Sequence, residues 1–243
     1  MLLLIPAAFL SLAAADLPAT GPVPEQAPRE EAAPAPSGPQ MKVDEKQASP
    51  PSPAPPQADE AALAECERRL TALGVEFERR AAIDGPGRCG LPAAYSVTKV
   101  ARGVSMAPET KLTCETALAT ARWIRLVVIP AARVFGNDVR LTGIRQASTY
   151  VCRTRNGQPD AKISEHARGR AIDVATFEFE GRPPLSVMPE QRTGSAGMAF
   201  QKAVRAGACL HFTTVLGPGA DAFHDDHIHL DLAKRRGGYR LCQ

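Results

Sequence analysis

Apolar positions recur with a helical period at Leu63, Cys66, Leu70 and Leu73, marking one face of a helix that Asp59 can cap and Gly74 ends. The pattern predicts a second helix from near Thr113 through CETALATARWIRLVVIPAARVFG. Pro130 should kink or split it, because proline lacks the amide hydrogen the helix ladder needs. Trp123 and the aliphatics around it read as core. Past Gly136-Asn137-Asp138 the period changes, and VRLTGI, TYVC and RAIDVATF predict strands. Residues 195–208 predict a helix. HFTTVL and HIHLDL predict two further strands on either side of the turn Gly217-Pro218-Gly219. No internal repeat is present. Helices first and strands later predict an α+β fold, with helices packed on a mostly antiparallel sheet.

The first quarter of the chain shows no such period. Residues 1–15 are an apolar run closed by Ala13-Ala14-Ala15, too short for the roughly 17–25 residues that span a bilayer. The run reads as a signal peptide with a mature start near Asp16, or as an N-terminal anchor, since no Lys or Arg precedes it. Residues 16–59 are rich in Pro and Ala with Glu, Ser and Gln, a composition that cannot bury enough surface to offset chain entropy; a disordered linker is expected. More than half of the 22 prolines fall before residue 57, whereas every Tyr, Trp and His falls after it, so the folded domain is expected at 60–243. The net charge of +3, without a dense basic cluster among aromatics, argues against nucleic acid as a partner.

Six scattered cysteines with no CxxC pair, in a chain that reads as exported, predict three disulfides rather than a zinc ribbon. Six allow fifteen pairings. Cys66–Cys89 is expected first, because it would clip the first helix to the loop after it.

Candidate chemistry is concentrated in two segments. ISEHARGRAIDVATF holds His166 and Asp173, and HDDHIHLDL holds His224, His227 and His229, so only one of the five histidines, His211, lies elsewhere. In a strand, His227, His229 and Asp231 share a face. His166, Asp173 and His229 together would supply the three protein ligands of a catalytic zinc, leaving a fourth position for water. Gly169 and Ala171 are small where the backbone must pass close to a metal and a neighbouring strand, and Ser164 could hydrogen-bond a ligand.

The pattern Ser164-x-His166-x-x-Gly169-x-Ala171-x-Asp173, followed by an HxH segment, resembles zinc peptidases of the D-Ala-D-Ala carboxypeptidase type, whose superfamily includes lysostaphin-like and hedgehog-like domains. More narrowly, YVCRTRNG, SEHARGRAIDVATFEFEG and TVLGPGADAFHDDHIHLDLAKRR are similar to the extensin-like C-terminal domain of exported bacterial proteins, over roughly residues 62–243. The resemblance implies a hedgehog/D-Ala-D-Ala-peptidase-like fold. It implies Zn2+ on His166, Asp173 and His229, Asp226 as the base, and His227 assisting the transition state. An arginine upstream, Arg153 before Arg145, would bind substrate or stabilise the oxyanion. It also implies peptidoglycan peptides as substrate and a periplasmic or extracellular location, with a membrane tether if residues 1–15 are retained. Two other readings stay open. The domain could bind peptidoglycan without turnover, a reading that the acid at position 226 disfavours. The zinc could be structural, with His224 as a fourth ligand, although His224 reads first as a turn residue or a support to the ligands.

Overall fold

Asp59 begins the first element as the sequence predicts. Its carboxylate accepts the amide hydrogens of Ala61 and Ala62, both at 3.1 Å, and so caps α1 (Glu60–Ala72). The computed structural model describes residues 59–189 and 194–243; the expected signal segment and nearly all of the expected linker lie outside these residues. Leu73 closes α1, and Gly74, at φ 77°, turns the chain away.

The segment between the two predicted helices departs from the expectation of a loop. It forms β1 (Glu76–Arg80), β2 (Ile83–Asp84), β3 (Gly90–Leu91), β4 (Ala94–Ala101) and β5 (Val104–Ala107). Neither long strand alternates in a way that sequence could show. β1 is a charged edge strand that is almost wholly exposed, and β4 is buried at six of its eight positions. Strands therefore precede the second helix as well as follow it.

Thr113 caps α2 (Cys114–Trp123) by accepting the amide hydrogen of Thr116. Pro130 does break the helix. A π turn over Ile124–Val128 leads into the short α3 (Ile129–Ala131) and a 3-10 turn over Ala132–Phe135. The wider turn lets the chain pass a residue that cannot donate back. Then come β6 (Arg140–Ser148), β7 (Ala171–Glu180), β8 (Leu185–Ser186), α4 (Ser195–Ala208), β9 (Thr214–Leu216), β10 (Ile228–Asp231) and β11 (Leu241–Cys242). The expected strand TYVC is not formed. After Ser148 the chain leaves the sheet, because the Thr149 carbonyl accepts from a histidine ring and Cys152 is tied to Cys89.

The main sheet runs β1-β4-β5-β6-β7-β10-β9-β11, with β8 pairing β7. Only β5–β6 and β9–β11 are parallel among the described pairs, so the fold is a mixed α+β with helices against a largely antiparallel sheet. Ile172, Val174, Ile228 and Leu230 face the helices in a core with Ile124, Val128, Phe200 and Val204. Trp123 is fully buried there; its indole donates to the Val204 carbonyl at 2.8 Å and meets Phe177 and Phe212 edge-on. No described helix is long and apolar enough to cross a membrane.

Three disulfides form, but Cys66 pairs with Cys114 rather than Cys89. Cys66 lies on the buried face of α1 and points at the first residue of α2, so the bond joins helix to helix. Cys89 instead anchors the loop after β6 through Cys152, and Cys209–Cys242 fastens the end of α4 to β11.

Candidate metal centre

Alternation along two strands builds most of the site. In β7, Ile172 and Val174 fill the core, so Asp173 between them must project from the opposite face of the sheet. In β10, Ile228 and Leu230 do the same for His229. The antiparallel register sets His229 directly across from Asp173, with Nδ1 2.8 Å from Oδ1. A one-residue slip would turn either side chain into the core.

His166 arrives from a single 3-10 turn, His166–Arg168, that ends at Gly169 with φ 60°. A side chain there would be strained and would collide with Leu91 on β3. The glycine thus answers to a close approach by β3. The Gly169 carbonyl also accepts from the Thr113 amide at 2.9 Å, fixing the turn to the start of α2. Ser164 holds the His166 backbone amide at 3.3 Å, not the imidazole ring.

The outer nitrogens of the two rings are already committed. His166 Nδ1 is 2.6 Å from the Thr149 carbonyl, which can only accept, so that nitrogen carries the hydrogen. His229 Nε2 is 3.1 Å from the buried carboxylate of Asp231, itself held by the Thr214 hydroxyl and the Ala233 amide. This leaves His166 Nε2 and His229 Nδ1 as lone pairs. They lie 3.1 Å apart, at 3.2 and 2.8 Å from Asp173 Oδ1. Three acceptors that close cannot satisfy one another without a cation between them. A proton would do so, and so would a divalent metal. Nitrogen and oxygen ligands about 2.0–2.1 Å from a tetrahedral zinc are roughly 3.3 Å from each other, close to the spacings found. His166, Asp173 and His229 are the only group of this kind among the described residues.

The electrostatics agree. Burial opposes charge on Asp173, yet the adjoining His166 and His229 rings outweigh it and hold its carboxyl far below the usual range. Burial likewise works against a proton on His229, but the Asp173 and Asp231 carboxylates carry it up to about 9. The site is therefore built to keep positive charge.

The centre forms one wall of a polar cavity of about 500 Å³. His227, just before β10, lines it with Nε2 3.6 Å from Asp173 Oδ1. Its Nδ1 is 2.8 Å from Asp226, whose side chain is 90% exposed. Asp226 thus meets the centre through His227. Arg153 lines the same cavity, but from the loop after β6 and not from a strand, donating to the Thr154 carbonyl at 3.4 Å. Arg145 is on β6 itself, exposed and paired with Glu178. His224 is buried against the rings of His227 and His229, and its Nδ1 is taken up by Asp221 at 2.6 Å. It is not one of the three converging ligands, which counts against closed four-residue coordination. Asp221, Thr214 and Arg235 also line the cavity and escaped the sequence reading. The D-x-x-H spacing of Asp221 and His224 was the one local signal for them.

The fold and site together define an α+β domain with a three-residue constellation able to hold a metal ion on the open face of its sheet. Residues 64–243 match the family described as Extensin-like protein C-terminus, and the chain belongs to that family. No curated protein and no solved structure matches the chain.

Proposed function

We propose that this domain is a zinc-dependent hydrolase of peptide bonds acting on the peptide stems of peptidoglycan outside the cytoplasm. The observation that carries the reading is the convergence of three lone-pair atoms, two with their opposite ring nitrogens already bonded, at the wall of an open polar cavity. His166, Asp173 and His229 would hold the ion. A bound zinc supplies Lewis-acid activation of a water and of the carbonyl it attacks.

The remaining steps belong to the chain. With Asp226 accepting from His227 Nδ1, the lone pair of Nε2 is left toward the cavity, placed to take a proton from the attacking water and return it to the leaving amine. Asp226, expected from the resemblance to be the base, acts in this geometry by orienting the ring of His227. Arg153 offers guanidinium donors to the developing oxyanion. Arg155 and Arg235 line the same cavity, among the carboxylates of Glu165, Asp173, Asp221 and Asp231, and with Arg153 would offer partners to the carboxylates of peptidoglycan stems. Asp221 holds His224 beside His227 and limits its freedom to swing away.

The test is zinc content and muropeptide hydrolysis by the full chain, produced in an oxidising compartment. We expect about one zinc per chain, lost in His229→Ala. His227→Ala should keep its zinc and lose turnover by about 10²-fold or more. A folded, zinc-supplied chain that holds no metal would sink the enzyme. Stoichiometric zinc with muropeptide binding but no cleavage would favour a binding module.

A further inference from the structure

Away from the cavity, the outer surface of the helical layer has a composition that the hydrolase reading leaves unused. Residues 116–135 carry Arg122, Arg125 and Arg133 and contain no Asp or Glu. Beyond Trp123 the buried positions fall at Ile124, Val128 and Ala132, and the exposed ones fall in pairs beside them: Arg125-Leu126, Ile129-Pro130 and Arg133-Val134. A stripe alternating arginine with large apolar side chains results, with Leu126 62%, Ile129 38% and Val134 45% exposed. Among the described residues, Arg122, Arg125 and Arg133 form no salt bridge.

The stripe extends sideways in both directions. Gly207 of α4 packs its bare Cα against Val127, where a methyl group would clash, so the two helices run flank to flank. Leu210, the most exposed large apolar residue described, ends that flank at 75%. On the other side Arg125 and Ile129 border a groove of about 420 Å³ with Leu73, Ala101 and Arg102.

We infer that this face docks on an anionic phospholipid bilayer, with its apolar side chains entering the headgroup boundary and its arginines pairing with lipid phosphates. Charge alone would suit any polyanion. The apolar side chains set among the arginines gain nothing from a hydrated polymer but gain burial in a membrane surface. The helices cover the sheet face opposite Asp173 and His229, so docking this way leaves the cavity facing away from the bilayer.

The experiment uses the full chain carrying Leu126→Trp, with brominated phosphatidylcholine vesicles either pure or containing about one-third phosphatidylglycerol. Trp123 is buried and gives the background. We expect quenching of the introduced indole only on the anionic vesicles, reversed by high salt. Each arginine near the surface contributes about 5-fold, so Arg125→Glu with Arg133→Glu should lower the docked-to-undocked ratio by at least about 25-fold. The corresponding lysine pair should restore it. Vesicles that float the chain without quenching the indole would mean that another segment tethers it and would overturn the proposal. Lipid-independent self-association through the stripe would also overturn it, as would arginine-dependent retention on an anionic glycan with no response to lipid.

Discussion

At the residue scale, the candidate metal centre is a problem of where protons are allowed. Thr149 and Asp231 each fix one nitrogen of a histidine, and this turns the opposite nitrogens toward Asp173. In the metal-free chain the His229 proton satisfies that cluster, and its pKa of about 9 exceeds the ordinary 6.5. A raised histidine stabilises the metal-free fold fully below pH 6.5, and that contribution is lost as pH climbs through 9. A zinc ion held there, as proposed, would take the same lone pair and would have to displace that proton. Affinity should therefore rise by close to tenfold per pH unit, on the order of one proton released per ion, between 6.5 and 9, and then level off. Calorimetric titration of zinc in buffers of different ionisation enthalpy counts the proton directly. A zinc affinity that stays flat from neutral pH to 8.5 would remove the proton from the site.

At the element scale, two strands and one turn must agree. β7 and β10 deliver Asp173 and His229 by alternation and register, and the 3-10 turn delivers His166 only if Gly169 can reverse the chain against Leu91. Gly169→Ala meets both a left-handed backbone and a collision, costs that together come to about 2–4 kcal/mol. Urea unfolding should show that loss, and zinc binding should weaken as well, because the ring of His166 follows the turn. An unchanged midpoint and unchanged zinc affinity would mean that β3 yields and that the close approach is not needed.

At the scale of the whole molecule, one disulfide holds the loop after β6 to the β2–β3 hairpin. Cys89–Cys152 closes 63 residues and ends beside Arg153 and Thr149, both of which face the centre. The chain-entropy model gives about 4 kcal/mol for a loop of that length. Replacing both cysteines by alanine should lower chemical stability by about that amount. It should also loosen zinc by freeing the Thr149 carbonyl from His166. Cys209–Cys242 lies at the opposite end of the chain, and its removal should destabilise without that second effect. Zinc titration of the two double variants side by side separates the roles.

The sequence by itself determined the chemistry and its local periods. Asp59 and Gly74 bounded α1, and Pro130 broke the second helix. The alternation of RAIDV and HIHLD showed which side chains share a face. Those features are written within a few residues of one another, where backbone sterics and side-chain spacing act. Tertiary structure alone decided what meets across distance. Asp173 faces His229 across a sequence separation of 56, Cys66 chooses Cys114 over Cys89, and the charged edge strand β1 finds its place beside β4. It also put His227 between Asp226 and the centre, and it gave the Thr149 carbonyl to His166. Such pairings depend on how strands register around a shared core, and no local pattern carries that information.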